Sequence, residues 1–231
     1  MRGALPKQMN PQMRRFLMSD FEGGYTLARV QLVDAQGKKK DARYSLNGTE
    51  LRVDLETPLA PGQRTVVDID WSHEVPEGGN NGRGQKEKMK DGWEYENAQW
   101  YPRAAVYDDV NGWQTNQFLG SGEFYLEFGN FDVSITVPRD HIVCATGALQ
   151  NAAQVLTATQ RERLAKAFAS DTPVYIVRPE DIAKRESRPA GTGDLTWRFT
   201  AQNVRDFAWA SSRAFAWDAM GYRYQKGGRL I

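Results

Sequence analysis

The chain has 231 residues, a formal net charge of +1, 40 % hydrophobic residues and one cysteine. That length holds one large domain with a real core, or a domain with extra segments. The near-neutral balance gives no long-range pull toward nucleic acid or an anionic membrane. A lone Cys144 excludes an internal disulfide, and no apolar run reaches membrane-spanning length.

Residues 1–22 read as a lead-in, or as a segment cut from a longer protein. They are basic but lack the apolar stretch and small-residue cleavage site of a secretory signal. Met9 to Met18 fits one short helix, limited by Pro11. After the break at Gly23-Gly24, Tyr25 to Val33 predicts a strand. Its apolar phase switches between Leu27 and Val30, which implies a bulge or burial on both faces. Gly37 and Lys38 to Lys40 read as a solvated hairpin tip. Asn47-Gly48, between Arg43–Leu46 and Thr49–Glu56, predicts a tight hairpin with a type I′ turn, with Leu51, Val53 and Leu55 toward the core. Asn47-Gly48-Thr49 is also a glycosylation sequon, but the turn accounts for it. Pro61-Gly62 makes a further turn, and Arg64 to Trp71 a strand. Glu77 to Asp91 is glycine-rich and charged, lacks the spacing of a phosphate-binding loop, and reads as a flexible excursion.

The stretch Glu94 to Pro138 is the densest in aromatics, carboxylates and glycines. It reads as a loop leading into a clear strand, in which Phe131, Val133, Ile135 and Val137 alternate with Asp132, Ser134 and Thr136. Pro138 lacks the amide that would extend the ladder. His141 to Leu149 predicts another strand, closed by Gly147, with Cys144 as a small buried residue. Thr159-Gln160-Arg161-Glu162 fits a capping box for a helix to about Ala169. Pro173 to Val177 predicts a strand, Pro179-Glu180-Asp181 a short helix start, and Leu195 to Ala201 the last clear strand. Residues 204–220 are aromatic and read as helical in part, packed through Trp209 and Trp217. The many strands, punctuated by turns, with only short helices, define an all-β protein, either a β-sandwich or a saddle-like bent sheet.

Several chemistries fail on spacing. A zinc-protease helix needs H-E-x-x-H, but His73-Glu74-Val75-Pro76-Glu77 lacks the second histidine and contains a helix breaker. The only other histidine is His141. Gly120-Ser121-Gly122 is not the G-x-S-x-G of a hydrolase elbow. Glu94, Glu96, Asp108, Asp109, Glu123 and Glu127 supply carboxylates for a two-carboxylate hydrolase, though sequence does not give their separation. Trp93, Tyr95, Trp100, Tyr101, Tyr107 and Trp113 would serve a sugar-stacking platform or, equally, pack a loop over a sheet.

Gln99-Trp100-Tyr101-Pro102-Arg103, then Ala105-Val106-Tyr107-Asp108, Gly112-Trp113-Gln114 and Gly122-Glu123-Phe124, resembles the N-terminal domain of bacterial aminopeptidase N family zinc metallopeptidases. Phe131 to Pro138, His141-Ile142-Val143 with Ala145-Thr146-Gly147, and Asn203 to Trp209 continue the resemblance, which covers roughly residues 24 to 220. It implies a saddle-shaped β domain over residues 23–210 and, from 211 to 231, the start of a link to a thermolysin-like catalytic domain. The family's H-E-x-x-H helix and G-x-M-E-N strand are absent from this sequence. The resemblance therefore implies a fragment with no cofactor of its own. Zinc belongs to the parent protein, and the catalytic domain and a peptide substrate are the partners. Location in the periplasm or cell envelope is implied in the same way. In the family, a glutamine or glutamate on an N-terminal-domain loop helps hold the substrate's free α-amine. The matching loop ends in Tyr101-Pro102, which makes Gln99 and Glu96 the substrate-binding candidates, with no catalytic or metal residue in this chain. The sequence departs here from the family's better-known Ala-Arg and Phe-Pro-Cys pattern. A free-standing β-sandwich module binding carbohydrate or protein is the alternative expectation, and a hydrolase using loop carboxylates a third.

Overall fold

The computed structural model describes residues 23–78, 84–117, 125–182 and 184–222. The helix expected at Met9 to Met18, the Gly120-Ser121-Gly122 and Gly122-Glu123-Phe124 runs, and the tail 223–231 lie outside them. Strands hold 44 % and helices 11 %, so the protein is all-β as expected. The chain divides into two compact units, Met1–Pro76 with Arg103–Tyr125, and Glu77–Pro102 with Leu126–Ile231.

In the first unit, β1 (Thr26–Val33) lies between β2 (Lys39–Asp41) and β5 (Val66–Ser72) in an antiparallel sheet. The register shifts between Leu27 and Arg29. This bulge lets Leu27 and Val30, three residues apart, share the face of Trp71 and Ile69, which explains the phase switch in the sequence. The lysine run is not a bare tip. Lys39 and Lys40 belong to β2 and pair with Asp68 and Glu56. β3 (Arg43–Asn47) and β4 (Glu50–Asp54) form the expected hairpin, but Asn47 pairs with Glu50, so the two loop residues are Gly48 and Thr49. Gly48 has a φ of +59° and Asn47 has no positive φ, which rules out the I′ turn. Gln117 explains the altered turn. Its Nε2 donates to Asn47 O at 2.7 Å, and its Oε1 accepts from Thr49 N at 2.7 Å. Leu51 and Val53 are half-buried, while Leu55 is exposed, against expectation. β8 (Tyr107–Asp108) and β9 (Gly112–Trp113) close a short hairpin.

The second unit carries the main core. β10 (Gly129–Pro138) pairs with β14 (Asp194–Val204), setting Ile135 opposite Trp197 and Val133 opposite Phe199. The period-two pattern read from the sequence is therefore the buried face. Trp197 is fully buried, and Val155, Val177 and Phe207 belong to the same cluster. The expected strand at His141 to Leu149 is two, β11 (Ile142–Ala145) and β12 (Ala148–Leu149). They turn at Gly147, where φ is +91° and a Cβ would stand 2.4 Å from Thr200 O. A one-turn helix, α1 (Ala152–Val155), precedes α2 (Ala158–Phe168). The capping box of α2 is Thr157 with Gln160, two residues earlier than expected. β13 (Val174–Val177) follows, and Pro179–Asp181 forms a single 3₁₀ turn.

Two expectations fail in this unit. The supposed excursion contains β6 (Gln85–Met89), paired with β7 (Gly92–Asn97). The segment expected to be partly helical instead carries β15 (Trp209–Ser212) and β16 (Trp217–Ala219). β15 is sandwiched in the order β11-β15-β7-β6, and its Ser211 and Ser212 are fully buried. The boundary at residue 210 thus falls inside a strand.

Candidate functional site

Glu96 lies on β7 rather than in a loop. Opposed residues share a face, so Gln85 and Glu87 from β6, Glu94 and Glu96 from β7, Ala210 and Ser212 from β15, and Cys144 from β11 line one side of this sheet. Trp93, Tyr95 and Asn97 line the other, with Lys86 over the Trp93 ring at 5.6 Å. Glu87 stands directly opposite Glu94. Burial, then the charges of Glu96 and Glu87, raise the Glu94 carboxyl above the usual carboxylate range. Glu96 accepts from Gln85 Nε2 at 3.1 Å and has no cationic partner among the described residues.

Four strand ends meet at one end of this sheet: the start of β6, the ends of β7 and β11, and the start of β15. They enclose an open concavity of about 550 Å³, lined by Glu96, Asn97, Cys144, Thr146 and Trp209 among others. Its rim is held by Thr146 N donating to Ala208 O at 2.9 Å and Ala208 N donating to Thr146 Oγ1 at 3.1 Å. Asn97 is buried, and its Nδ2 has no hydrogen-bond partner among the described residues; the same holds for Trp209 Nε1. Both atoms are sealed from solvent on the face of the sheet opposite Glu96, where Trp209 packs against the core. Cys144 is not a nucleophile here, because burial pushes its thiol up to about 11.

Gln99 sits in the bend just past β7 and is not among the residues lining the concavity. Its φ of +55° is rare for a residue other than glycine. The loop that contains it is pinned by Trp100 Nε1 donating to Phe207 O at 3.0 Å and Tyr101 OH donating to Asp206 Oδ1 at 3.1 Å. The Trp100 ring meets Trp209, and the Tyr101 ring meets Phe131, both edge-on. The blocks around 99–102 and 203–209, singled out separately in the sequence, are therefore in direct contact. Asn97 and Trp209 were missed because their juxtaposition depends on the pairing of β7 with β15, which no local pattern encodes.

The six candidate aromatics do not form one uniform set. Trp100 and Tyr101 pack against the core of the second unit. Tyr107 and Trp113 belong to the first, where they meet edge-on at 73° with both rings exposed. Each histidine is engaged locally. His141 Nδ1 lies 2.7 Å from Ser211 Oγ, and His73 Nδ1 lies 3.2 Å from Glu74 O. Among the described residues no group of three or more His, Cys, Asp or Glu is placed to hold a metal ion.

The protein is all-β, with an open concavity at the end of a four-stranded sheet whose lining carries one carboxylate, Glu96. Compared with family models, curated proteins and solved structures, the chain finds no match in any of the three.

Proposed function

We propose that this chain is the cleft-forming β region of a zinc aminopeptidase, and that it holds a peptide's free α-amine at Glu96. The zinc and the hydrolytic step belong to a catalytic domain of the same parent protein. The observation that carries this reading is Glu96 itself: a carboxylate on the wall of an open concavity, with an amide as its hydrogen-bond donor and other glutamates on the same sheet face. An ammonium needs such an acceptor, and anchoring it fixes the scissile bond one residue away. The left-handed turn at Gln99 sets the path of the chain beyond the anchor.

In the parent enzyme, Glu96→Gln is expected to raise KM for peptides with a free amine by roughly ten-fold or more, the worth of one charge-assisted hydrogen bond. Gln99→Ala is expected to have a smaller effect through the loop. Unchanged KM in both variants would remove the anchor. The reading frame beyond Ile231 is expected to encode H-E-x-x-H. An isolated chain that binds one zinc and hydrolyses aminoacyl arylamides would sink the reading as a whole.

A further inference from the structure

The second unit has another concavity, of about 420 Å³, remote in sequence from the Glu96 segment and independent of the reading given to it. Arg139, Lys184, Arg185, Arg188 and Arg213 line it, against the single carboxylate of Asp140. That is an excess of four positive charges on a chain whose net charge is +1.

Two of these arginines are held in place by neutral groups. Arg188 is 6 % exposed. Its Nε donates to Asp140 O at 2.6 Å, its Nη1 to Ser187 O and Oγ at 2.9 Å each, and its Nη2 to Arg213 O at 2.9 Å. Arg139 donates to the carbonyls of Thr192, Ala190 and Asp194. None of these acceptors is a carboxylate, so both guanidinium groups are oriented by neutral oxygens rather than by a hydrogen-bonded ion pair. Asp140 is engaged with Arg213, whose Nε lies 3.5 Å from Asp140 Oδ2. The cost of burial lowers the Arg188 pKa and outweighs the carboxylates of Asp140 and Asp181, which favour its charge from nearby without hydrogen-bonding to it. An anion in the concavity would offset that cost. Arg188 and Arg139 give most of their N–H groups to protein oxygens and supply mainly charge, which leaves the exposed Lys184 and Arg185 as donors for a phosphoryl group; the charge excess calls for more than one negative charge.

We propose that this concavity binds a small, multiply charged, phosphate-bearing anion of the diphosphate type. The test is isothermal titration of the full 231-residue chain with inorganic pyrophosphate at low ionic strength. Saturable one-to-one binding is expected, weakening as salt is added. Lys184 and Arg185 are exposed, so the double variant Lys184→Ala with Arg185→Ala should keep the wild-type melting temperature. It should bind pyrophosphate at least about ten-fold more weakly. Amide shifts on titration should centre on Gly191, Gly193 and Arg213. Absence of saturable binding, equal binding by the variant, or shifts centred elsewhere would overturn the proposal and leave Arg188 and Arg139 as staples of the fold. Binding to phosphatidylglycerol vesicles without binding to pyrophosphate would also overturn it, in favour of a membrane surface.

Discussion

Glu94 carries its charge in surroundings that oppose it, desolvated and facing Glu87 across the hairpin with Glu96 two residues on. For an acid, a raised pKa in the folded state means that folding favours the proton. The penalty is absent below the unfolded value of about 4.3, grows as pH rises from there to the folded value, and levels off above it. It acts at neutral pH. Glu94→Gln is therefore expected to raise the melting temperature at pH 7, with the advantage gone by about pH 4. A gain that is the same at both pH values, or a loss at pH 7, would show that the like charges do not act on stability. The same crowding of carboxylates suits the wall at Glu96 to a cation. Glu96 and Gln99 were legible as candidates because they stand beside a distinctive run of residues. The strand that carries Glu96 reads as loop in the sequence, although it pairs with the neighbouring β6 across a two-residue turn; its other partner, β15, lies more than a hundred residues away.

At the scale of elements, local signals succeeded where the element's own side chains settle the matter. The alternation in β10 and β14 is its own buried face. It failed where the partner decides. β6 reads Gln-Lys-Glu-Lys-Met, with no apolar period, and is a strand because β7 offers it an edge to pair with. Its lysines then blunt the outer edge of that sheet. In β15, Trp-Ala-Ser-Ser carries no strand signal strong enough to outweigh a helical reading, yet it is central in its sheet. The start of α2 shows how two equal local signals are separated. Thr157 with Gln160, and Thr159 with Glu162, both satisfy the capping-box spacing. Gln160 breaks the tie, since it is buried and its Nε2 also donates to Ser187 O at 2.8 Å. Thr157→Ala is expected to cost about 1 kcal/mol in urea unfolding. Thr157→Ser should retain most of the stability, and Thr159→Ala should be nearly neutral. Equal losses at 157 and 159 would contradict the observed cap.

On the scale of the whole molecule, the two units differ sharply in what they bury. The second holds a continuous cluster of eleven buried apolar residues, including Trp197, Phe199 and Phe207. In the first, Val30 and Val106 are the buried apolar residues among those described, while Leu46 is 63 % and Val110 82 % exposed. A fully buried large apolar side chain contributes about 1.5–3 kcal/mol, so the first unit draws far less from burial. The ion pairs Arg29–Asp70 and Lys39–Asp68 lie at the surface of its sheet and add little. Local opening free energies should follow the same order. Amide hydrogen exchange in native buffer is expected to show the β10 and β14 amides protected to the global limit. Those of β1 and β5 should exchange at least about ten-fold faster. Guanidinium at sub-denaturing concentration should accelerate β1 and β5 first. Equal protection in both pairs of strands would show that the first unit's sheet is not an independent weak point.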